Sequence, residues 1–415
     1  MRHFDELETR AREVREAALM QALPAQIAHA RRNAPGWARI LAAVDPARVD
    51  SRAALARLPL TRKSDLGELQ KMDPPLGGLN ATPVAQLARL FASPGPIYEP
   101  QGHAKDWFRF GRAMHAAGFR AGDVVVNTFS YHFTPAGAMM ESGATSLGCT
   151  VVPTGTGQTE MQVGIVSSLK VTAYSGTPSF LKLIVEKADE LKADISSLKK
   201  ASVGAEYLPP ALRAAMRARG ISVLQTYGTA DLGLIAYETA APDGSANEGM
   251  VLDEGLILEI VRPGTGDPVK DGEVGEVVIT SFNSDYPLIR FATGDLSAVM
   301  PGASPCGRTN TRIRGWMGRA DQSTKVRAMF VTPKQVNEIQ RRHPEVLRAR
   351  LVVEGETGKE RMTLKCEVKE RPAGLAEAIV GSIREVTKLR GEVELVAAGS
   401  LPNDGKVIED LRKYA

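Results

Sequence analysis

Apolar residues fall at helical spacing over the first forty positions, where Leu7, Val14, Ala18, Met20 and Leu23 are set for one face of a helix that the Pro35-Gly36 pair ends. From Gly122 the pattern changes. Short runs rich in β-branched residues at 124–126, 150–153, 171–174 and 222–224 alternate with helical stretches such as 180–192 and 210–219. Strands separated by helices predict parallel βαβ units and a doubly wound sheet. Between 250 and 280 the strands at 256–261 and 274–279 are joined by the turn formers Pro263-Gly264-Thr265-Gly266 and Asp271-Gly272, which predicts an antiparallel sheet or small barrel. Beyond Asp321, strands at 347–354 and 362–369, a helix at 375–389 and a strand at 392–396 make a compact α+β unit. The predicted class is α/β. A large N-terminal domain over 1–321 has mostly parallel sheets and a β-rich, barrel-like subdomain at 250–320; a small α+β domain covers 322–415, with the boundary at Asp321-Gln322.

Composition narrows the chemistry. At 415 residues and 43% hydrophobic, the chain is long enough for two or three structural units with a sizeable core. Its 52 basic and 48 acidic side chains nearly cancel and form no basic block, so charge gives no support to nucleic-acid binding. The three cysteines, Cys149, Cys306 and Cys366, include no C-x-x-C pair, which excludes a disulfide framework and a four-thiolate zinc site. The N-terminus is charged where a secretory signal would be apolar, and no apolar run approaches the ~20 residues that span a bilayer. A cytoplasmic protein with no membrane partner is expected.

Several segments carry candidate chemistry, each with a plainer alternative. Tyr227-Gly228-Thr229-Ala230-Asp231 follows the strand at 222–225 and so is expected on the loop outside a strand's carboxyl end, where open α/β sheets bind ligands. An aromatic ring can cover a base, glycine admits the backbone, a hydroxyl can bond phosphate and a carboxylate can hold Mg²⁺; a tight turn with a core tyrosine is the alternative. In Thr293-Gly294-Asp295 the carboxylate after a glycine turn can accept both hydroxyls of a ribose, although turn chemistry alone also explains Gly-Asp. Gly204-Ala205-Glu206 ends another strand-like run and can offer backbone groups to a base, or Glu206 is a solvated surface residue. Gly318-Arg319-Ala320-Asp321 reads as a polar linker or as a hinge at Asp321, with Arg319 reaching a nucleotide. Tyr131-His132-Phe133-Thr134-Pro135-Ala136 is aromatic and turn-rich, as a pocket for a flat apolar substrate would be, while a lone His is more often structural. No Ser/His/Asp order, H-E-x-x-H or G-x-G-x-x-G occurs to support a hydrolase, a zincin or a dehydrogenase.

These residues, together with Leu58-Pro59-Leu60-Thr61-Arg62-Lys63-Ser64-Asp65-Leu66, Gly155-Thr156-Gly157-Gln158-Thr159-Glu160, Gly176-Thr177-Pro178-Ser179 and Pro402-Asn403-Asp404-Gly405-Lys406, resemble the phenylacetate-CoA ligase family of AMP-forming adenylating enzymes over nearly the whole chain. The resemblance implies a large N-terminal domain and a small mobile C-terminal one, ATP and Mg²⁺ as cosubstrates, a carboxylic acid made into an acyl-adenylate and then a CoA thioester, and a homodimer. It gives Lys406 the catalytic role of stabilising charge between carboxylate and α-phosphate. Asp295 and Arg319 would hold ribose, and Gly204, Ala205, Glu206, Tyr227 and Gly228 would border adenine. Thr229 would touch the α-phosphate, and Asp231, catalytic and metal-binding, stands where the family usually has a glutamate. Tyr131, His132, Phe133 and Ala136 would line the acid pocket, and Arg327 and Ala328 the path of CoA.

The chain departs from the family at the phosphate loop, which the family builds from serines, threonines, glycines and a lysine. Here the stretch is Ala92-Ser93-Pro94-Gly95-Pro96-Ile97-Tyr98-Glu99-Pro100, in which three prolines lack N–H donors, Ser93 and Gly95 alone keep the loop's chemistry, and Glu99 brings a negative charge. Ala328 replaces a family glycine. An alternative to the ligase is therefore an altered paralogue that binds AMP, an acyl-adenylate or CoA as a sensor or partner protein; a third reading is an adenylating enzyme with a different acceptor.

Overall fold

The computed structural model describes residues 3–93, 97–320, 322–327, 329–356, 359–402 and 406–412. The chain divides into two compact units, Met1–Gly318 and Arg319–Ala415.

In the N-terminal unit a nine-stranded sheet runs in the order Val299–Met300, Arg312–Ile313, Met250–Leu252, Gly233–Tyr237, Ser222–Thr229, Lys200–Val203, Ala173–Gly176, Val124–Asn127, Thr150–Pro153. The five strands from 124 to 229 pair in parallel, with helices Ala136–Ser146, Thr159–Ser168, Pro178–Leu191 and Pro210–Ala218 between them, as the alternation predicts. Neighbouring residues on these strands enter different cores. Val125, Ala173 and Leu224 pack in one cluster while Val126, Tyr174 and Val223 pack in another, so the sheet is covered on both faces.

Two expectations are corrected here. Ser222–Thr229 runs farther than its apolar run, so Tyr227, Gly228 and Thr229 belong to the strand, and the chain reverses through Ala230 and Asp231 into the antiparallel strand Gly233–Tyr237. Gly233 permits the reversal: its φ is +72°, and a Cβ there would stand 2.6 Å from the Phe108 carbonyl oxygen. The N-terminal helix is the second. Arg12–Asn33 buries Leu23, Ile27 and Ala30, whereas Leu7 and Val14 are exposed. Its first turns are held by a charge instead: Arg15 donates to Glu254 at 2.8 Å and to Thr309 at 2.8 Å. Pro35 does not end the helical region but starts a new helix, Pro35–Ile40, after the extended Ala34 that a following proline favours.

A second sheet has the order Thr61–Arg62, Phe291–Ser297, Gly275–Ser281, Leu256–Val261. Its last two strands pair antiparallel from Leu256↔Ser281 to Val261↔Glu276, as the turn signals between them predict. Asp295 lies inside a strand, not after a turn. The register runs Glu276↔Leu296 and then Val278↔Ala292, so Thr293, Gly294 and Asp295 together oppose Val277, and Gly294 takes φ +77° to allow this bulge. The strand Thr61–Arg62 is fixed by the buried Arg290. Its guanidinium meets both oxygens of Glu259 at 3.0 Å and donates to the carbonyls of Ala56, Leu58 and Gly266.

The C-terminal unit is a four-stranded sheet in the order Glu392–Ala397, Arg361–Val368, Val346–Glu354, Ile408–Asp410. Helices Pro333–Arg342 and Leu375–Thr387 pack on it and on each other around Val336, Ile339, Leu351, Leu364, Ile379 and Ile383. Thr332 and Gln335 form a capping box that starts the first helix, and a hairpin of Thr324–Val326 with Met329–Val331 precedes it. The strand Ile408–Asp410 runs parallel to Val346–Glu354, with Leu351 opposite Ile408.

Replacing Arg290 by alanine would leave Glu259 buried and unpaired, and about 3–5 kcal/mol of destabilisation is expected. Thermal melts of Arg290→Ala check this. Arg290→Lys should recover only part of the loss, because an ammonium cannot keep both carboxylate contacts and three carbonyl contacts at once.

Candidate active site

On the N-terminal unit, three elements bring together the residues that sequence reading singles out for a nucleoside. The bulge turns Asp295 toward the extended strand Ser222–Thr229, where the Tyr227 hydroxyl donates to its Oδ2 at 2.9 Å. The Trp316 indole N–H donates to Oδ1 at 3.1 Å, and the Thr293 hydroxyl accepts from the Asp295 backbone N–H at 3.1 Å. Both carboxylate oxygens thus accept from an aromatic side chain, one from a phenol and one from an indole. Trp316 is a site residue that sequence reasoning missed; its position two residues before Gly318-Arg319 was the available signal.

Gly204, Ala205 and Glu206 follow the strand Lys200–Val203. A Cβ on Gly204 would stand 2.7 Å from the Thr226 hydroxyl, so glycine allows the two segments to close. Ala205 takes φ +65° and is exposed. Glu206 is half-buried and its carboxylate accepts from the Ser179 hydroxyl at 2.6 Å, while its carbonyl accepts from Gln225 at 2.9 Å. Its side chain is therefore engaged with the start of helix Pro178–Leu191. Tyr207, Gln225 and Trp316 line a cavity of about 360 Å³ together with Arg213, Arg217 and Arg314, a volume at the small end of ligand sites. Gly228 is exposed and Thr229 half-buried, its hydroxyl accepting from the Leu232 N–H at 3.2 Å.

Asp231 is 3% exposed and meets the ammonium of Lys63 through Oδ2; its Oδ1 is buried without a hydrogen-bond partner. Lys63 stands directly after the strand Thr61–Arg62, which Arg290 holds in place. Burial alone would depress the Lys63 ammonium, but the charges of Asp231, Glu99 and Asp295 outweigh it and raise its pKa. Glu99 is fully buried, on the strand Ile97–Gln101 that pairs with Arg89–Ser93. Neither of its oxygens makes a hydrogen bond of regular geometry, although Ser93 lies close enough to favour the ionised form. Burial first, then the negative charge of Asp231, pushes Glu99 up to about 8. The Tyr286 hydroxyl is buried and unpartnered too, and after burial it is Asp231 and Glu99 that raise its pKa. Lys63, Glu99 and Tyr286 were absent from the residues proposed for catalysis or the metal.

Of the segment expected to line an acid pocket, Tyr131 borders a cavity of about 150 Å³ with Arg89, Phe91, Thr134, Ala138 and Glu141. Its hydroxyl accepts from Asn127 at 2.8 Å. His132 and Phe133 are exposed, Phe133 at φ +61°, and Ala136 opens the helix Ala136–Ser146 half-buried. Ser93 ends its strand half-buried, and Gly95 lies outside the described residues.

Arg319, Arg327 and Lys406 belong to the C-terminal unit. Arg319 is half-buried and Arg327, at φ +46°, is exposed in the turn after Thr324–Val326. Asp321 and Ala328 lie outside the described residues. Lys406 is exposed just before Ile408–Asp410. On one side of it Leu401 N–H donates to Glu367 at 2.6 Å and the Pro402 carbonyl accepts from Arg350 at 2.9 Å; on the other, the Val407 carbonyl accepts from Leu351 at 2.9 Å. Among the described residues no group of three or more His, Cys, Asp or Glu side chains is arranged to hold a metal, and no helix is long and apolar enough to cross a membrane.

Residues 103–283 match the family model described as AMP-binding enzyme. The chain is 30% identical over 452 residues to a phenylacetate-coenzyme A ligase of Thermus thermophilus, covering 100% of both chains. It is 31% identical over 386 residues to that of Aromatoleum evansii, covering 88% of this chain and 84% of the relative. Among solved structures it is similar to a 2-hydroxyisobutyryl-CoA ligase in complex with 2-HIB-AMP and CoA, with a TM-score of 0.83 at 24% identity over 100% of this chain and 93% of that one.

The buried Glu99 gives a pH signature with a definite sign. Its ordinary value is 4.5, and its folded value is raised to about 8. Between the two, the folded protein keeps a proton that the unfolded chain has released. The contribution is fully present below the lower value and is lost as pH rises through the upper one, at up to about 1.4 kcal/mol for each pH unit. Glu99→Gln removes this dependence. In chemical denaturation, the stability of the variant relative to wild type should rise steadily from about pH 5 to about pH 8; a gap that stays constant over that range contradicts the assignment.

Proposed function

The chain belongs to the phenylacetate-CoA ligase family of AMP-binding enzymes, and on that premise we propose that it is an AMP-forming ligase that activates an aromatic or similar carboxylic acid with ATP and passes it to coenzyme A. In the first half-reaction a carboxylate oxygen attacks the α-phosphorus, the bond to the bridging oxygen breaks and pyrophosphate leaves. In the second, the CoA thiol attacks the acyl carbonyl, loses its proton and expels AMP.

The observation that carries the reading is Asp295, whose two oxygens are aimed by Tyr227 at 2.9 Å and Trp316 at 3.1 Å. A carboxylate oriented in this way is the contact for the two hydroxyls of a ribose, with Arg319 as the second ribose contact. Gly204, Ala205, Glu206, Tyr227 and Gly228 border adenine, and the Thr229 hydroxyl is the α-phosphate contact. Asp231 fits Mg²⁺ because its buried Oδ1 lacks a partner, and hard cations take such oxygens. Mg²⁺, when bound, neutralises phosphate charge. The cavity beside Tyr131 and Phe91, about 150 Å³, supports a small acid with a ring, the ring against Phe91 and Tyr131 and the carboxylate toward Arg89. Lys406 stabilises the charge that develops between carboxylate and α-phosphate, Asp321 is the hinge of a mobile C-terminal domain, and Arg327 and Ala328 line the CoA path. We further propose a cytoplasmic homodimer, for which the three unpaired cysteines are the supporting observation on compartment.

One observation favours a second reading. Glu99 in the phosphate loop is buried and unpartnered, which suits a protein that binds AMP or an acyl-adenylate without turning over ATP. ATP–pyrophosphate exchange with a panel of aryl acids, beside calorimetric titration of AMP, separates the two: exchange with at least one acid supports the ligase, and AMP binding without exchange supports the binding protein.

Lys406→Ala should lower acyl-adenylate formation by about 10²-fold or more, the usual cost of removing a charge-stabilising contact. Its melting temperature should match wild type, because the side chain is exposed. An unchanged adenylation rate removes Lys406 from catalysis.

A further inference from the structure

We propose that the acid taken by the cavity beside Tyr131 is an aryl acid with an O–H or N–H donor on its ring, a hydroxyaryl or aminoaryl carboxylate. Arg89 receives its carboxylate and Glu141 accepts from its donor, an inference that rests on the ligase reading and names the substrate class of that same pocket.

Two elements bring opposite charges to one small cavity. Arg89 and Phe91 lie two residues apart on the strand Arg89–Ser93, and Ala138 and Glu141 lie three apart on the helix Ala136–Ser146, so each pair shares a face of its element. All four line the cavity of about 150 Å³, and Tyr131 and Thr134 complete its wall. Tyr131 is fixed against the helix. A Cβ on Gly137 would stand 2.9 Å from its ring, and Asn127 donates both to its hydroxyl and to the Gly137 carbonyl at 2.8 Å. With the phenol oxygen engaged by Asn127, the phenol proton goes to Glu141. Burial first, and that hydrogen bond second, hold the phenol above its usual range. Arg89 is held from the other side, donating across the hairpin to Gln101 at 3.1 Å. Among the described residues no ion pair joins Arg89 to Glu141, although both line the same cavity.

A carboxylate in the wall of an acid pocket discriminates through desolvation. An acid with a bare ring covers Glu141 and offers it nothing in return for the water it displaces, whereas a ring O–H or N–H replaces that water. Sites that bond a substrate donor reject the analogue lacking it far more strongly than an apolar pocket rejects an added hydroxyl. Arg89 sets the other end, because a guanidinium fork matches a carboxylate. The two charges together select a molecule that carries an anion at one end and a donor at the other, with Phe91 and Tyr131 for the ring between them.

The test uses the full chain and a matched panel: benzoate and phenylacetate, their hydroxy and amino derivatives, and their fluoro derivatives, which keep the size of the ring and lack the donor. For each acid kcat/KM is measured by ATP–pyrophosphate exchange and Kd by calorimetric titration in the presence of AMP. At least one hydroxy or amino acid should exceed its fluoro counterpart by about 10²-fold or more in kcat/KM, and should bind more tightly. Glu141→Leu should narrow that ratio by about tenfold or more, chiefly through the KM of the donor-bearing acid. Glu141→Gln should narrow it less, since an amide oxygen still accepts. Circular dichroism establishes that the variants fold; the wild-type ratio decides the matter if they do not. Equal values for the hydroxy, amino and fluoro acids, no binding of any donor-bearing acid at millimolar concentration, or a ratio unchanged in Glu141→Leu overturns the assignment. Donor preference in the titrations without pyrophosphate exchange in any acid overturns the ligase reading and leaves the assignment standing.

Discussion

One ammonium among buried carboxylates governs the N-terminal unit. Lys63 contacts Asp231 and lies within the field of Glu99 and Asp295, and a buried charge is tolerated only when paired. Everything that delivers Lys63 to that point serves this pairing. Arg290 fixes the segment before it by donating to the carbonyls of Ala56 and Leu58, and Thr61–Arg62 pairs in parallel with the strand that carries Asp295. One short strand thereby links the small sheet to the turn at Asp231 on the large sheet.

The site is built where regular structure is interrupted. A strand of ideal register would point Asp295 along the pleat, whereas three residues opposite Val277 turn it toward Tyr227. Likewise the large sheet changes from parallel to antiparallel at Ser222–Thr229, and the reversal that follows carries Asp231. Both interruptions use glycine at positive φ, Gly294 at +77° and Gly233 at +72°, so Asp295 and Asp231 sit beside positions where the backbone needs glycine.

The parts of this architecture that depend on local pattern could be read from the sequence. The parallel strands and their helices follow from alternating runs, and the pairing of Leu256–Val261 with Gly275–Ser281 follows from turn residues. What could not be read depends on partners far away in the chain. The strand Ser222–Thr229 continues past its apolar run because Tyr227 finds Asp295, and the N-terminal helix buries Arg15 because Glu254 receives it. Periodicity sees neither. Of the candidate site, the Asp295, Tyr227 and Asp231 positions came from motif resemblance, but motif resemblance did not mark Trp316 or Lys63 as site residues, and it treated Glu99 only as a repulsive charge. Its burial is a property of the hairpin Arg89–Ser93 with Ile97–Gln101.

The same accounting of charge explains why the substituted phosphate loop and the rest of the site can coexist. Burial beside Asp231 pushes Glu99 up to about 8, so at neutral pH it keeps its proton and adds no second negative charge where Lys63 already pairs with Asp231. In the C-terminal unit the flanks of Lys406 are tied to the sheet through Pro402 and Val407, while its own side chain is exposed.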